Sequence, residues 1–186
     1  MFDPRATRET ELHARRIDMR SWKRSDGLFE LEGRVTDRKP HAFVPWRGGE
    51  QIAAGVPLHD MGVRLVFDLA LCIHQIETFT EAAPYRQCPE GGRALQSLVG
   101  LRMTSGWSKE VRSRLAGALS CTHLMELLIP MATTAFQSLS EENRGRAERV
   151  DSLGKPLKID SCYAYGASRE LVRVHWPQFH LPAPDV

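Results

Sequence analysis

Three residues in six carry most of the chemistry this chain advertises: Cys121, His123 and Glu126, a thiol, an imidazole and a carboxylate. They open residues 117–139, GALSCTHLMELLIPMATTAFQSL, which contain no Lys or Arg. Wound as a helix at 100° per residue, His123, Glu126, Pro130, Thr133, Thr134 and Gln137 share an arc of roughly 100°. Leucines, methionines and Phe136 cover the rest. A helix that apolar belongs in a core. Its polar stripe is either a solvent edge or the wall of a pocket. Exposed helix faces usually carry Lys, Arg and repeated Glu, as residues 141–149 do here, and the stripe carries hydroxyls and an amide instead. Pro130 has no N–H, so the Glu126 carbonyl loses its helical partner on the same face.

An imidazole titrates near neutrality, which suits His123 to general acid or base work, with Glu126 one turn on to orient it or act as partner acid. Cys121, at the start of the helix, is placed where a thiolate is favoured. The competing reading makes Cys121 a small buried apolar residue and the His–Glu pair a structural hydrogen bond. His59, in GVPLHDMG at a loop-to-strand junction, is a second candidate base. Adjacent strand side chains point to opposite faces, which argues against a dyad between His59 and Asp60.

Cys72 and His74 are expected on one face of a strand, with Glu77 on the other. Tyr85 and Cys88 lie in the Pro-bounded APYRQCP, and Cys162 stands beside Tyr163 in DSCYAYG. Tyr85 and Tyr163 are candidates to bind a phenol or carbonyl oxygen, with Thr133 on the stripe. Trp107, with Trp22, Trp46, Trp176 and Phe43, is a candidate wall for an aromatic substrate, against the simpler role of packing. The four cysteines form no CxxC pair and read as reduced thiols. Cys121, His123, Cys88 and Cys162 could still meet in space as a tetrahedral zinc site. No phosphate-binding loop, HExxH or GxSxG is present.

The elements that must position these residues change character midway. Residues 12–35 read as a hairpin with a turn at Ser25–Gly27, and residues 61–79 as a second hairpin turning near Asp68. Residues 1–10 read as a loose arm. Residues 37–57, with three prolines and Gly-Gly, read as a long loop. Helical segments follow at 94–99, at 105–117 and from about 122 toward 149, ending near Gly145. Residues 156–166 read as extended, and residues 168–179 as a turn or two of helix stopped at Pro177. Strands then helices imply an α+β fold: an antiparallel sheet from two N-terminal hairpins packed against a C-terminal helical layer.

The 186 residues suit a single domain, 1–186. At 42% hydrophobic and 26% charged the chain is expected to fold. A net charge of +2 gives no bulk attraction to nucleic acid. No apolar run reaches the ~20 residues that span a bilayer, and the N-terminus lacks a signal-peptide pattern. A cytoplasmic protein is expected.

GWSKEVRSRLAGALSCTHLMELLIPMATTAFQSL closely resembles a bacterial family catalogued as domain of unknown function 2889. The resemblance extends to DGLFELEGRVTD, PLHDMGVRLVFD, EAAPYRQCP, GLRMTSGW and DSCYAYG. It departs where Ser120 stands in place of a frequent Gly and Tyr163 in place of a frequent His. If the latter position is catalytic, this protein has altered it. The resemblance implies a shared fold and, because such proteins occur in bacteria with broad aromatic and organic-acid catabolism, a leaning toward small-molecule chemistry, with no reaction attached.

The expectation is a small enzyme with lyase or hydratase chemistry, needing no cofactor. His123, Glu126, Cys121 and His59 would be catalytic, and Tyr85, Tyr163, Trp107 and Thr133 would hold the substrate. The alternatives are a non-catalytic binding or assembly domain and a zinc protein using Cys121 and His123. A small-molecule partner is expected, with no nucleic acid or membrane, and a homodimer by base rates.

Overall fold

The computed structural model describes residues 5–45, 50–144 and 147–182. Strand β1 (Ala14–Lys23) pairs with β2 (Phe29–Arg38), β2 with β3 (Pro57–Phe67) and β3 with β4 (Ile73–Ala82). All pairings are antiparallel, in the order β1-β2-β3-β4. Both expected hairpins are present. The first turns at Gly27, whose φ of 84° is open to glycine at little cost. The Asp26 carboxylate accepts the Leu28 N–H there at 3.1 Å. The second turns on Asp68, which accepts the N–H groups of Ala70 and Cys72 at 2.8 and 3.0 Å.

Alternation places Phe29, Leu31, Val35, Met61, Val63, Leu65 and Phe67 on one buried face. β4 breaks the rule. A register shift sets Ile73 opposite Phe67 and Gln75 opposite Val66, so Ile73 and Ile76 both turn inward. His74 is thereby exposed, its Nε2 3.0 Å from Asp68. The face of β4 that meets the helical layer is this isoleucine pair; Cys72 precedes the strand, and His74 lies on its exposed face and reaches back to the turn at Asp68.

The helical layer covers the inner face. It consists of 3-10 turns over Cys88–Leu98 against β4, helix α1 (Trp107–Leu115) and helix α2 (Thr122–Ser138). Leu124, Leu127, Leu128, Met131 and Ala135 of α2 are buried. Each leucine removed from water contributes about 1.5–3 kcal/mol. α2 lies close on β2 because Gly33 has no side chain: a Cβ there would sit 2.8 Å from the Met131 sulfur.

α2 is shorter than the pattern suggested, ending at Ser138. Residues 140–144 supply no apolar side chain to continue its buried stripe, and the Leu139 N–H closes the last turn on Phe136. The supposed end at Gly145 lies outside the described residues. β2 also runs through Asp37 and Arg38, so the connection to β3 begins at Lys39; Phe43 and Ile52 bridge across it.

The chain divides into two compact units, residues 1–142 and 143–186. The second gathers Ile159, Ala167 and Val172 with Trp176 and Phe179. It holds helix α3 (Glu170–His175) between two short 3-10 turns. Residues 156–166 are turns here and not extended, with Asp160 at φ 65° accepting the Ala167 N–H. Among the described residues no helix is long and apolar enough to cross a membrane.

Filling the gap beneath α2 should be costly. Gly33→Val is expected to lower stability by about 1–3 kcal/mol in urea unfolding, because Met131 must leave its rotamer or the helix must lift.

Candidate functional site

Extending the β2 alternation by one step from Val35 puts Asp37 on the inner face, at the end of the sheet. The register sets Arg15 of β1 on one side of it and His59 of β3 on the other. Three polar residues thus form a row across three strands, beneath the first turn of α2, which delivers His123.

Asp37 is 1% exposed, and all of its acceptor capacity is used. Arg15 donates to both oxygens, Nε to Oδ1 at 2.8 Å and Nη2 to Oδ2 at 2.9 Å. His13 Nε2 lies 3.1 Å from Oδ1 and His59 Nδ1 3.1 Å from Oδ2. His123 Nε2 stands 3.7 Å from Oδ2. Burial opposes ionisation, but the hydrogen bonds from Arg15 and His13 outweigh it and hold the carboxyl well below the usual carboxylate range.

An ionised carboxylate only accepts, so His59 carries its proton on Nδ1 and keeps a lone pair on Nε2. The His59 and His123 rings lie 3.9 Å apart, centroid to centroid, tilted by 35°. Burial and the neighbouring imidazole lower the His59 pKa despite the pull of Asp37. His59 therefore stays a neutral base at pH values where a free imidazole begins to charge.

On its other side His123 reaches the thiol: Nδ1 is 3.9 Å from Cys121 Sγ. Burial disfavours the thiolate, yet His123 and the backbone N–H groups of Leu124 and His123 more than offset it, and the thiol pKa is lowered. Met61 Sδ backs the sulfur at 3.7 Å. Cys121 also lines an open cleft of about 490 Å³, with Tyr85, Cys88, Glu90, Leu119 and Ser120. Gly91 borders it and permits the close approach: a Cβ there would lie 2.7 Å from the Cys121 nitrogen.

The structure thus brings His59, His123 and Cys121 together, and puts Tyr85 and Cys88 on the cleft that Cys121 shares. Glu126 is not the partner of His123; it is half-exposed and takes Arg15 Nη1 at 3.2 Å. Trp107 is a core residue, its indole N–H donating to the Leu128 carbonyl at 2.8 Å, so it offers no substrate wall. Thr133 and Gln137 face outward in the first unit, while Thr134 bonds the Pro130 carbonyl. Of the polar stripe, His123, Glu126 and Thr134 reach the sheet, Thr134 through Met19 Sδ at 3.3 Å. Tyr163 and Cys162 are exposed in the second unit, where Arg169 stacks on Tyr163 at 3.9 Å. Trp46 lies outside the described residues.

Asp60 points to the opposite face from His59 and pairs with Arg34 at 2.6 and 2.7 Å. The partner of His59 is Asp37, which a turn-like VTDRKP had hidden in the supposed loop. Period-2 alternation through Val35 was the available signal for it. Nothing comparable marked Arg15 or His13, whose roles depend on strand register.

As to metals, the Asp37, His59 and His123 ligand atoms lie within 4.8 Å of one another. Their 3.1 and 3.7 Å separations are of the size found between neighbouring ligands around a first-row ion with bonds of about 2.0–2.2 Å. An ion at Oδ2 must replace the His59 proton, however, and it meets the Arg15 guanidinium on the same oxygen. Asp68, Cys72 and His74 form a second such group, already committed to the β3–β4 turn.

The matched region adds an outside observation. A family model described as "Protein of unknown function (DUF2889)" matches residues 13–137. The chain belongs to that family. The match begins at His13 and includes every member of the cluster, within the first unit. No curated protein and no solved structure matches the chain.

The network has a pH signature. His59 and Asp37 both bind protons less readily folded than unfolded, so stability rises with pH through both titrations. Thermal unfolding should show loss beginning below about pH 6.5 and deepening below about pH 4. Asp37→Asn should cost about 2–3 kcal/mol at pH 7, less than a fully buried pair because Arg15 is partly in water. That variant should also lose less stability than the wild type below about pH 4, the remaining loss coming from carboxylates such as Asp60 and Asp68 that are held low by their own partners.

Proposed function

We propose that the first unit is an enzyme that moves protons on a small organic molecule, by lyase or hydratase chemistry, with an aromatic compound as the preferred substrate. The observation that carries this reading is the His59–Asp37 dyad beneath His123. A buried carboxylate fixes the tautomer of one imidazole, and a second imidazole stacks on it.

In that arrangement His59 Nε2 takes a proton from the substrate, and the Asp37 charge stabilises the resulting imidazolium. His123 serves as the opposite partner, returning a proton to the carbon or oxygen that departs or is added. Arg15 keeps Asp37 ionised throughout. Tyr85 offers the cleft a ring and a hydroxyl for an aromatic substrate. Elimination, hydration and retro-aldol cleavage need only such an acid and base. Four free cysteines accord with a reducing, cytoplasmic setting.

The test is proton NMR in D₂O with a panel of phenolic and hydroxylated aromatic acids, following C–H exchange, water addition or bond cleavage. Wild-type protein is expected to act on members of the panel. His59→Gln and His123→Gln should each lower kcat about 10²–10⁴-fold while the circular dichroism spectrum is kept. The kcat/KM of the wild type should fall on the acid side only below the ordinary imidazole range, near pH 6.5 or lower. Full turnover by His59→Gln would remove the reading.

A further inference from the structure

We propose a second chemistry for this fold: Cys121 is a nucleophile, activated by His123 and Asp37, that accepts the acyl group of small activated esters entering the cleft. The inference goes beyond the acid–base reading: it shares His123 and Asp37 with it and adds the Cys121 sulfur, which that reading leaves unused.

Four observations converge on the sulfur. His123 bridges it to a buried charge, with Nδ1 3.9 Å from Cys121 Sγ and Nε2 3.7 Å from Asp37 Oδ2. Nucleophile, base and carboxylate stand in the order used in acyl transfer, with Asp37 acting on His123 through its charge across 3.7 Å and not through a hydrogen bond. Cys121 is the N-cap of a 17-residue helix, so its sulfur stands at the positive end of the helix dipole. Met61 backs the thiol on the core side. Cys121 also lines the cleft of about 490 Å³, where Tyr85 presents a ring to an aryl group. Cys72 also has Asp68 and His74 within 4.8 Å, but its thiol donates to the Gly100 carbonyl at 3.5 Å and His74 is paired with Asp68 in the β3–β4 turn.

The step balances without a further reagent. The Cys121 proton passes to His123 Nδ1. The thiolate attacks the ester carbonyl carbon and forms a C–S bond. The tetrahedral oxyanion collapses with cleavage of the C–O bond, and the departing alkoxide or phenoxide takes the proton from His123. Water, deprotonated by the same imidazole, then splits the thioester, releases the acid and restores the thiol. An ester with a good leaving group fits better than an amide, because a single imidazole must protonate what leaves.

The probe is 4-nitrophenyl acetate with the intact chain. A burst of about one nitrophenolate per chain is expected, with an acetyl adduct on the peptide containing Cys121. Cys121→Ser should abolish the adduct, and His123→Gln should slow its formation about 10²-fold or more. Cys162→Ser, which removes an exposed thiol of the second unit, should leave the burst in place. Unmutated protein supplies a control independent of folding: under limiting iodoacetamide near pH 6, Cys121 should label ahead of the exposed Cys162. Adducts on Cys88 or Cys162 in place of Cys121, or an acylation rate indifferent to His123→Gln, would overturn the proposal. A chain that handles protons but is never acylated keeps the acid–base reading and loses this one, and the reverse result does the opposite.

Discussion

The first unit is organised around one buried negative charge. An isolated carboxylate as enclosed as Asp37 would cost several kcal/mol in lost hydration. Arg15 removes most of that penalty with a two-point hydrogen bond from the neighbouring strand, and His13 and His59 fill the remaining acceptor positions. The charge is then available to orient imidazoles. It sets the His59 tautomer and gives His123 Nε2 a partner across 3.7 Å. Without the guanidinium the carboxyl would lean toward its neutral form, and neither ring would have a fixed direction.

The sheet separates two kinds of polar chemistry by face. Its outer side carries compensated ladders, Arg34 with Asp60 and Arg64 with Glu32, and both guanidiniums lie 5.9 Å from the Phe79 ring. Gly62 leaves room for that ring, since a Cβ there would sit 2.3 Å from it. Those pairs reach water and each contributes little. Along β2 and β3 the inner side is apolar from Phe29 and Phe67 to Val35 and Met61, and it turns charged at the end row of Arg15, Asp37 and His59. There the helix N-terminus, the imidazoles and the thiol meet in a partly dehydrated space, where electrostatic effects are larger.

Small residues make that meeting possible. Gly33 lets α2 settle on β2, and Gly91 lets the Cys88–Leu98 turns press against the start of the same helix. The first closes the imidazole onto the carboxylate. The second places Cys121 at the boundary between cluster and cleft, so that one residue belongs to both.

Hairpins, the order of strands before helices and the apolar helix were legible in the chain, because they depend on local alternation and turn chemistry at positions such as Gly27 and Asp68. Cys121, His123 and His59 stood out as chemically able residues for the same local reason. Their partners did not. Asp37 sat among residues that read as a loop, and Glu126 competed for its role through a one-turn spacing that the real Arg15 contact overrides. The bulge that exposes His74 left no mark in composition. Which carboxylate meets which imidazole is settled by strand register and helix docking, and both arise from contacts between residues 22 to 111 positions apart. Local sequence carries the residue types and their periodicity. Long-range pairing decides which charges are buried together, and the chemistry of the site follows from that burial.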